Sequence, residues 1–184
     1  MLLLLNDKDF IKSFNTKKPY YYFGNIVKDI EYNLFDNTAL ALSHPNKSEV
    51  IVTPANKAIA IRGLETRGSI PLFAKNILKE ISQLFNNSTK GRFTLHSFSG
   101  YGSDSKSFNI HRDPMCVFYL QVYGEIVWSI WESDETTDNI TPEQGTCVFK
   151  QKFMPGDMIY IRPGTYHHVE HLDGPRIGFS FGNS

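Results

Sequence analysis

Cysteine is scarce: Cys116 and Cys147 are the only two in 184 residues. Two so widely separated exclude a disulfide framework and a cysteine-based zinc site, and reduced thiols in a cytoplasmic compartment are the simpler expectation. An excess of one charge is missing too, because 19 basic and 19 acidic residues cancel. That removes the electrostatic footprint of a protein that binds nucleic acid nonspecifically. Long apolar runs are absent apart from the opening MLLLL, which Asn6, Asp7 and Lys8 end at once. Five residues are too few for a membrane span or a signal-peptide core, so the stretch reads as a strand or packed arm. There is no internal repeat, low-complexity tract or linker, so residues 1–184 are expected to form one domain.

What is present is an ordinary globular balance, 41% hydrophobic and 21% charged, with a generous 14% of aromatics that suits a β-rich core or a deep pocket. Residues 1–91 read as a flank of helices and strands. Asn6 and Asp7 can cap a short helix through about Asn15, with Phe10, Ile11 and Phe14 on one face. Pro19 ends it, and Tyr20 to Phe23 favour a strand. Ile26 to Phe35 leans towards helix. Glu49–Thr53 and Ala58–Ile61 suggest a hairpin. Ser69 caps the clearest helix, with Pro71 in its first turn. Its apolar stripe is Leu72, Phe73, Ile77, Leu78, Ile81, Leu84 and Phe85, and Asn86 to Ser88 close it.

From residue 92 to 184 the character changes to short β-type runs separated by Gly, Pro, Asn or Asp. The candidates are Arg92–Ser97, Ser107–Arg112, Val117–Val122, Glu125–Trp131, Cys147–Lys152, Asp157–Ile161, His167–His171 and Arg176–Phe181. That many short strands with turn signals argue for a mainly β fold, a barrel or jelly roll, with N-terminal helices flanking it. The run from Glu132 to Asp138, acidic without a basic residue, reads as a solvated loop.

One constellation carries chemistry. His111 and Asp113 lie two apart in an apolar, aromatic run, and on a strand they would share a face. A third ligand comes 54 residues later, where a Pro-Gly turn precedes His167. Two histidines and one carboxylate with the remaining positions open are the ligand pattern of non-haem Fe(II) oxygenases. A metal-free structural cluster is the competing reading. His168 competes with His167, but strand alternation lets only one face inward.

These motifs carry a family resemblance. GDMIYIRPGTYHHV resembles the second cupin motif, with Gly156, Gly164 and His167 in matching positions and Arg162 where cupins usually place a proline. HRDPMCVFYLQVYGEIVW resembles the His-x-Asp strand pair of JmjC-type 2-oxoglutarate oxygenases, including Gln121, Gly124 and Trp128. DFIKSFNTKKPYYYFGN is similar to the opening of the bacterial ribosomal-oxygenase branch. The resemblance implies a double-stranded β-helix holding Fe(II) through His111, Asp113 and His167, with 2-oxoglutarate as cosubstrate and O2 as oxidant. It implies a hydroxylase, and the branch implies a protein or peptide substrate. Those relatives carry a further C-terminal dimerisation region outside these residues, so the oligomeric state is left open.

The chain departs from that pattern at Ile126, where JmjC relatives usually place a Lys or Arg for the distal carboxylate of 2-oxoglutarate. Arg176 is the expected replacement. It lies nine residues after His167, at a place where prolyl hydroxylases and related oxygenases hold the cosubstrate, and shares a strand face with Gly178 and Ser180. Tyr119 is a candidate second donor to that carboxylate, and Asn109, two residues before His111, a similar one. Trp128 is expected in the core and Trp131 at the rim. The Gly100–Lys106 loop has lid composition, with Tyr101 on it. Two other readings stay open: a cupin-like metal-binding protein without 2-oxoglutarate turnover, favoured by Ile126, and a small-molecule oxygenase or isomerase using another divalent metal.

Overall fold

The computed structural model describes residues 4–54, 57–66, 70–85, 93–102, 105, 108–132, 145–172 and 174–183. In chain order the elements are α1 (Lys8–Asn15), β1 (Tyr20–Phe23), α2 (Leu34–Ser43), β2 (Val50–Thr53), β3 (Ala58–Ile61), α3 (Leu72–Phe85), β4 (Phe93–Gly100), β5 (Val117–Tyr123), β6 (Ile126–Trp131), β7 (Cys147–Phe153), β8 (Met158–Ile161), β9 (His167–His171) and β10 (Arg176–Asn183).

Among the described residues every strand pairing is antiparallel. A seven-stranded sheet runs β1-β8-β5-β10-β4-β3-β2, and a three-stranded sheet runs β7-β6-β9. Period-two alternation sorts the larger sheet into two faces. One face turns Leu95, Phe118, Leu120, Phe179 and Phe181 to the helices, and all five are fully buried. The other turns Val117, Tyr119, Ile159 and Ile161 to Ile126, Trp128, Ile130 and Val169 of the small sheet. Two facing antiparallel sheets with helices on the outer side make the mainly β jelly roll expected from the turn spacing.

Local chemistry explains where the helices start. The Asp7 carboxylate caps α1 by accepting from the Phe10 N–H at 2.8 Å. Helix α2 begins only at Leu34, which corrects the helical reading of Ile26 to Phe35. Asn33 and Asp36 form a reciprocal capping box there. The preceding residues cannot coil: Asp29 takes φ 54°, and the Ile26 N–H is drawn to the Gly156 carbonyl at 2.9 Å. In α3 the stripe is narrower than its composition suggests, since Leu72 is 71% exposed. A carboxylate takes part on the buried side instead. Glu80 accepts from the Leu4 N–H at 2.6 Å and anchors the start of the described chain to this helix. Ser69 and Asn86 to Ser88 lie outside the described residues.

Phe10 joins the helical layer to the large sheet. It is fully buried, with its ring 4.9 to 6.0 Å from those of Phe14, Tyr21, Phe23, Phe118 and Tyr160. Phe10→Ala should therefore destabilise the fold by about 3–5 kcal/mol. A urea titration measures this; a midpoint shift worth under about 1 kcal/mol would show the layer to be loosely attached.

Candidate metal centre

The small sheet covers the β1-β8-β5-β10 side of the large one and leaves a cavity of about 360 Å³ that reaches out towards β4, β3 and β2. His111, Asp113 and His167 line it, with ligand atoms all within 4.8 Å of one another. The Asp113 carboxylate lies 3.9 Å from His111 Nε2 and 3.6 Å from His167 Nε2.

Backbone pairing creates this convergence. Residues 108–112 form no strand, which corrects the Ser107–Arg112 expectation; Ser107 lies outside the described residues. Instead His111 and His167 make one isolated antiparallel bridge. The His111 N–H donates to the His167 carbonyl at 3.1 Å, and the His167 N–H donates to the His111 carbonyl at 2.9 Å. The Gly164 N–H reaches the Asp113 carbonyl at 2.8 Å, which locks the Pro-Gly turn onto the same segment. The two imidazoles consequently face each other with ring centroids 4.4 Å apart.

Both rings are set in one tautomer. His111 Nδ1 lies 2.7 Å from the Asn109 carbonyl, and His167 Nδ1 lies 2.9 Å from the Thr165 carbonyl. A carbonyl only accepts, so each Nδ1 carries the proton and each Nε2 offers a lone pair towards Asp113. Two imidazoles and one carboxylate, with the sites opposite them facing an open cavity, suit a divalent first-row metal such as Fe(II). His168, on the other face of β9, does not line the cavity.

Burial pushes the His167 imidazole below the ordinary histidine range, and it does the same to His96 and His168. The unfolded chain then takes up protons near pH ~6.5 that the folded chain refuses. Stability is fully present above that pH and declines as acid is added. The thermal midpoint of metal-free protein should accordingly be lower at about pH 5.5 than at about pH 7.5; an equal or higher value would contradict the assignment.

Behind the triad, one cross-strand row on the large sheet places Arg176 beside Gly100, and the next places Gly178 beside Gln121 and Phe98. Arg176 is only 5% exposed, lines the cavity, and its Nε has no partner among the described residues. Trp128, also a lining residue, carries a second orphaned donor at Nε1. Buried unpaired N–H groups are uncommon, and both of these belong to residues that line the cavity.

Tyr119 occupies the space that Gly178 leaves free, since any Cβ there would collide with its hydroxyl. That hydroxyl donates to Gln121 Oε1 at 2.9 Å, while the Gln121 amide donates to the carbonyls of Tyr123 and Gly124. The two carbonyls fix which way the amide points. The Tyr119 proton is therefore already committed, and its oxygen faces the guanidinium. Burial raises the Tyr119 pKa to about 12, with Arg176 opposing the rise. Tyr119 thus meets Arg176 through its oxygen, with its one proton held by Gln121.

Ser180 lines the cavity two residues beyond Gly178. Asn109 does not: it is exposed, and because its segment is no strand the expected alternation fails. Its contribution is the carbonyl that orients His111. Ile126 is fully buried among Phe153 and Trp128 and contributes nothing to the cavity. Trp128 is in the core and Trp131 half-buried. The Tyr101 hydroxyl lies 3.2 Å from that of Thr38; Ser103, Asp104 and Lys106 of its loop, and residues 133–138 of the acidic run, lie outside the described residues. Sequence reasoning missed the outer wall, which includes Ala58, Ala60, His96, Phe98 and Phe108. The alternation of Thr94, His96 and Phe98 was a usable signal for part of it.

A jelly roll that gathers two imidazoles and a carboxylate at its open end defines a cupin-like domain with a candidate metal centre. Within that class, residues 79–184 match the family described as JmjC domain, and the chain belongs to that family. Solved structures of the Escherichia coli ribosomal oxygenase YcfD share the fold. One is 15% identical, with a TM-score of 0.68, over 99% of this chain and 52% of that one. Another, described as a complex with cobalt and 2-oxoglutarate, is 17% identical with the same score and coverage. A third, with cobalt and succinic acid, is 15% identical with a TM-score of 0.67, over 99% of this chain and 52% of that one. This chain thus spans about half the length of these structures. No curated protein matches the sequence. Among the described residues no helix is long and apolar enough to cross a membrane.

Proposed function

We propose that this protein is an Fe(II)- and 2-oxoglutarate-dependent oxygenase that hydroxylates a side chain of a polypeptide substrate in the cytoplasm. The observation that carries this reading is one cavity holding both a His-Asp-His ligand set and a buried guanidinium with an unpaired Nε. Family membership and the YcfD complexes with cobalt, 2-oxoglutarate and succinic acid support it.

His111 Nε2, Asp113 and His167 Nε2 would hold the metal. When bound, Fe(II) supplies a Lewis-acidic centre at which oxidative decarboxylation of the keto acid by O2 is coupled to oxidation of a C–H bond. Everything else falls to the chain. Arg176 offers a planar fork to the far carboxylate, which an ammonium could not match in geometry. Tyr119, held by Gln121, keeps that fork in place, and Ser180 is a further candidate contact. Trp128 and Val169 line the cavity and exclude water. The histidines keep their Nδ1 protons on carbonyls and move none, so no acid–base dyad is required.

Ile126 favours a second reading, a metal-binding protein without turnover. Conversion of 2-oxoglutarate to succinate by iron-loaded protein under air separates the two. Succinate formation above the protein-free rate, suppressed by excluding O2, is expected. None, with or without cell extract, would remove the oxygenase reading.

A further inference from the structure

The small sheet stops at β9, so among the described residues the inner faces of β4, β3 and β2 extend beyond it as an open floor. Two cross-strand rows cross that floor from the candidate centre. One runs Arg176, Gly100, Ala58, Thr53, and the other Gly178, Phe98, Ala60, Ile51. Both end on β2, whose Ile51 and Thr53 still line the cavity.

Among the described residues β2 pairs with β3 alone, which leaves it an edge of the large sheet. Exposed edges are usually blunted by a charged side chain or a proline. This one reads Val-Ile-Val-Thr, with Ile51 37% and Val52 57% exposed. The Arg62 N–H donates to the Glu49 carbonyl. In the Ile51–Ala60 register, alternation then turns the main chain of Val50 and Val52 outwards. The Val50 N–H is already held by the Lys47 carbonyl. The Val50 carbonyl and both main-chain groups of Val52 therefore face away from β3.

We propose that β2 is a docking edge for an extended segment of a polypeptide substrate, which adds to the sheet as a further strand. This rests on the polypeptide-oxygenase reading and deepens it. Alternating N–H and C=O groups spaced like a strand are the chemical complement of such an edge, and neutral side chains on β2 exclude no residue type by charge. The docked strand cannot itself be the target. It would lie four strand spacings, roughly 19 Å, from β10. Substrate chain crossing the floor at about 3.3 Å per residue places the target roughly six residues from the docked strand. Docking at β2 is thus an exosite contact, separate from the metal and 2-oxoglutarate groups.

The test uses protein loaded with Mn(II) and 2-oxoglutarate and a labelled probe peptide, Lys-Thr-Val-Thr-Val-Thr-Lys, with a central-proline version as control. The probe should slow hydrogen exchange of the Val52 amide at least fivefold without changing α3, and the control should not. Val52→Pro deletes a donor that β3 does not use, and should weaken probe binding at least tenfold in fluorescence anisotropy. Val52→Asp, which keeps the N–H but adds a charge, should weaken it less. Equal protection by the proline control, no protection by the probe, or protection that follows protein concentration without peptide and so marks a second copy of this chain, would each overturn the proposal. Titration of 2-oxoglutarate into the same sample judges the activity separately: binding with Val52 unprotected removes the docking edge only, and protection without 2-oxoglutarate binding removes the oxygenase reading only.

Discussion

His167→Ala should abolish stoichiometric metal binding and bring succinate formation to the protein-free rate. Residues behind a ligand typically contribute 10- to 100-fold in metal affinity, so removal of the ligand itself should weaken binding by more than about 100-fold. His167 is the member of the triad that solvent cannot replace, being only 3% exposed in its side chain against 37% for His111 and 34% for Asp113. Its main-chain bridge to His111 does not depend on the imidazole, so the fold should persist. His168→Ala, one residue along and on the opposite strand face, should leave metal binding within about twofold. Metal analysis of dialysed protein with far-UV circular dichroism checks both variants. Full metal retention in a folded His167→Ala protein would place the ligand elsewhere.

Arg176→Ala should weaken 2-oxoglutarate binding by about 30-fold or more while leaving metal content unchanged, because truncating one partner of a buried charge pair costs about 2–5 kcal/mol. Arg176→Lys keeps the charge but loses the planar fork, and should recover only part of the loss. A basic residue at Ile126 is not an equivalent rescue, since that side chain is sealed against Phe153 between the sheets and does not line the cavity. Calorimetric titration of Mn(II)-loaded variants reads both affinities. Unchanged 2-oxoglutarate affinity in Arg176→Ala would show that another cation holds the carboxylate.

These expectations begin from residues whose spacing could be read directly. Alternation in Arg176, Gly178 and Ser180 put the guanidinium on the cavity face; β10 runs from Arg176 in unbroken register with β4, and Arg176 and Ser180 both line the cavity. The His111–His167 partnership was legible as a motif pair, but the device that makes it was not. A single main-chain bridge from an irregular segment to the first residue of β9 has no side-chain period to betray it. The Asn109 reading failed for the same reason, since alternation was applied to a stretch that is not a strand. Tyr119 was found, but its task depends on Gln121, whose orientation follows from two carbonyls at the β5–β6 turn that only the folded chain brings together. The β2–β3 hairpin was recognised from its β-branched runs. Its role as cavity floor depends on the strand order beside β4, which local sequence does not encode.

The most direct measurement is a crystal structure of the protein with Mn(II) and 2-oxoglutarate. The account predicts one ion about 2.0–2.3 Å from His111 Nε2, an Asp113 oxygen and His167 Nε2, with the far carboxylate of the keto acid on the Arg176 guanidinium. An ion bound away from these side chains, or a keto acid whose far carboxylate avoids Arg176, would contradict it.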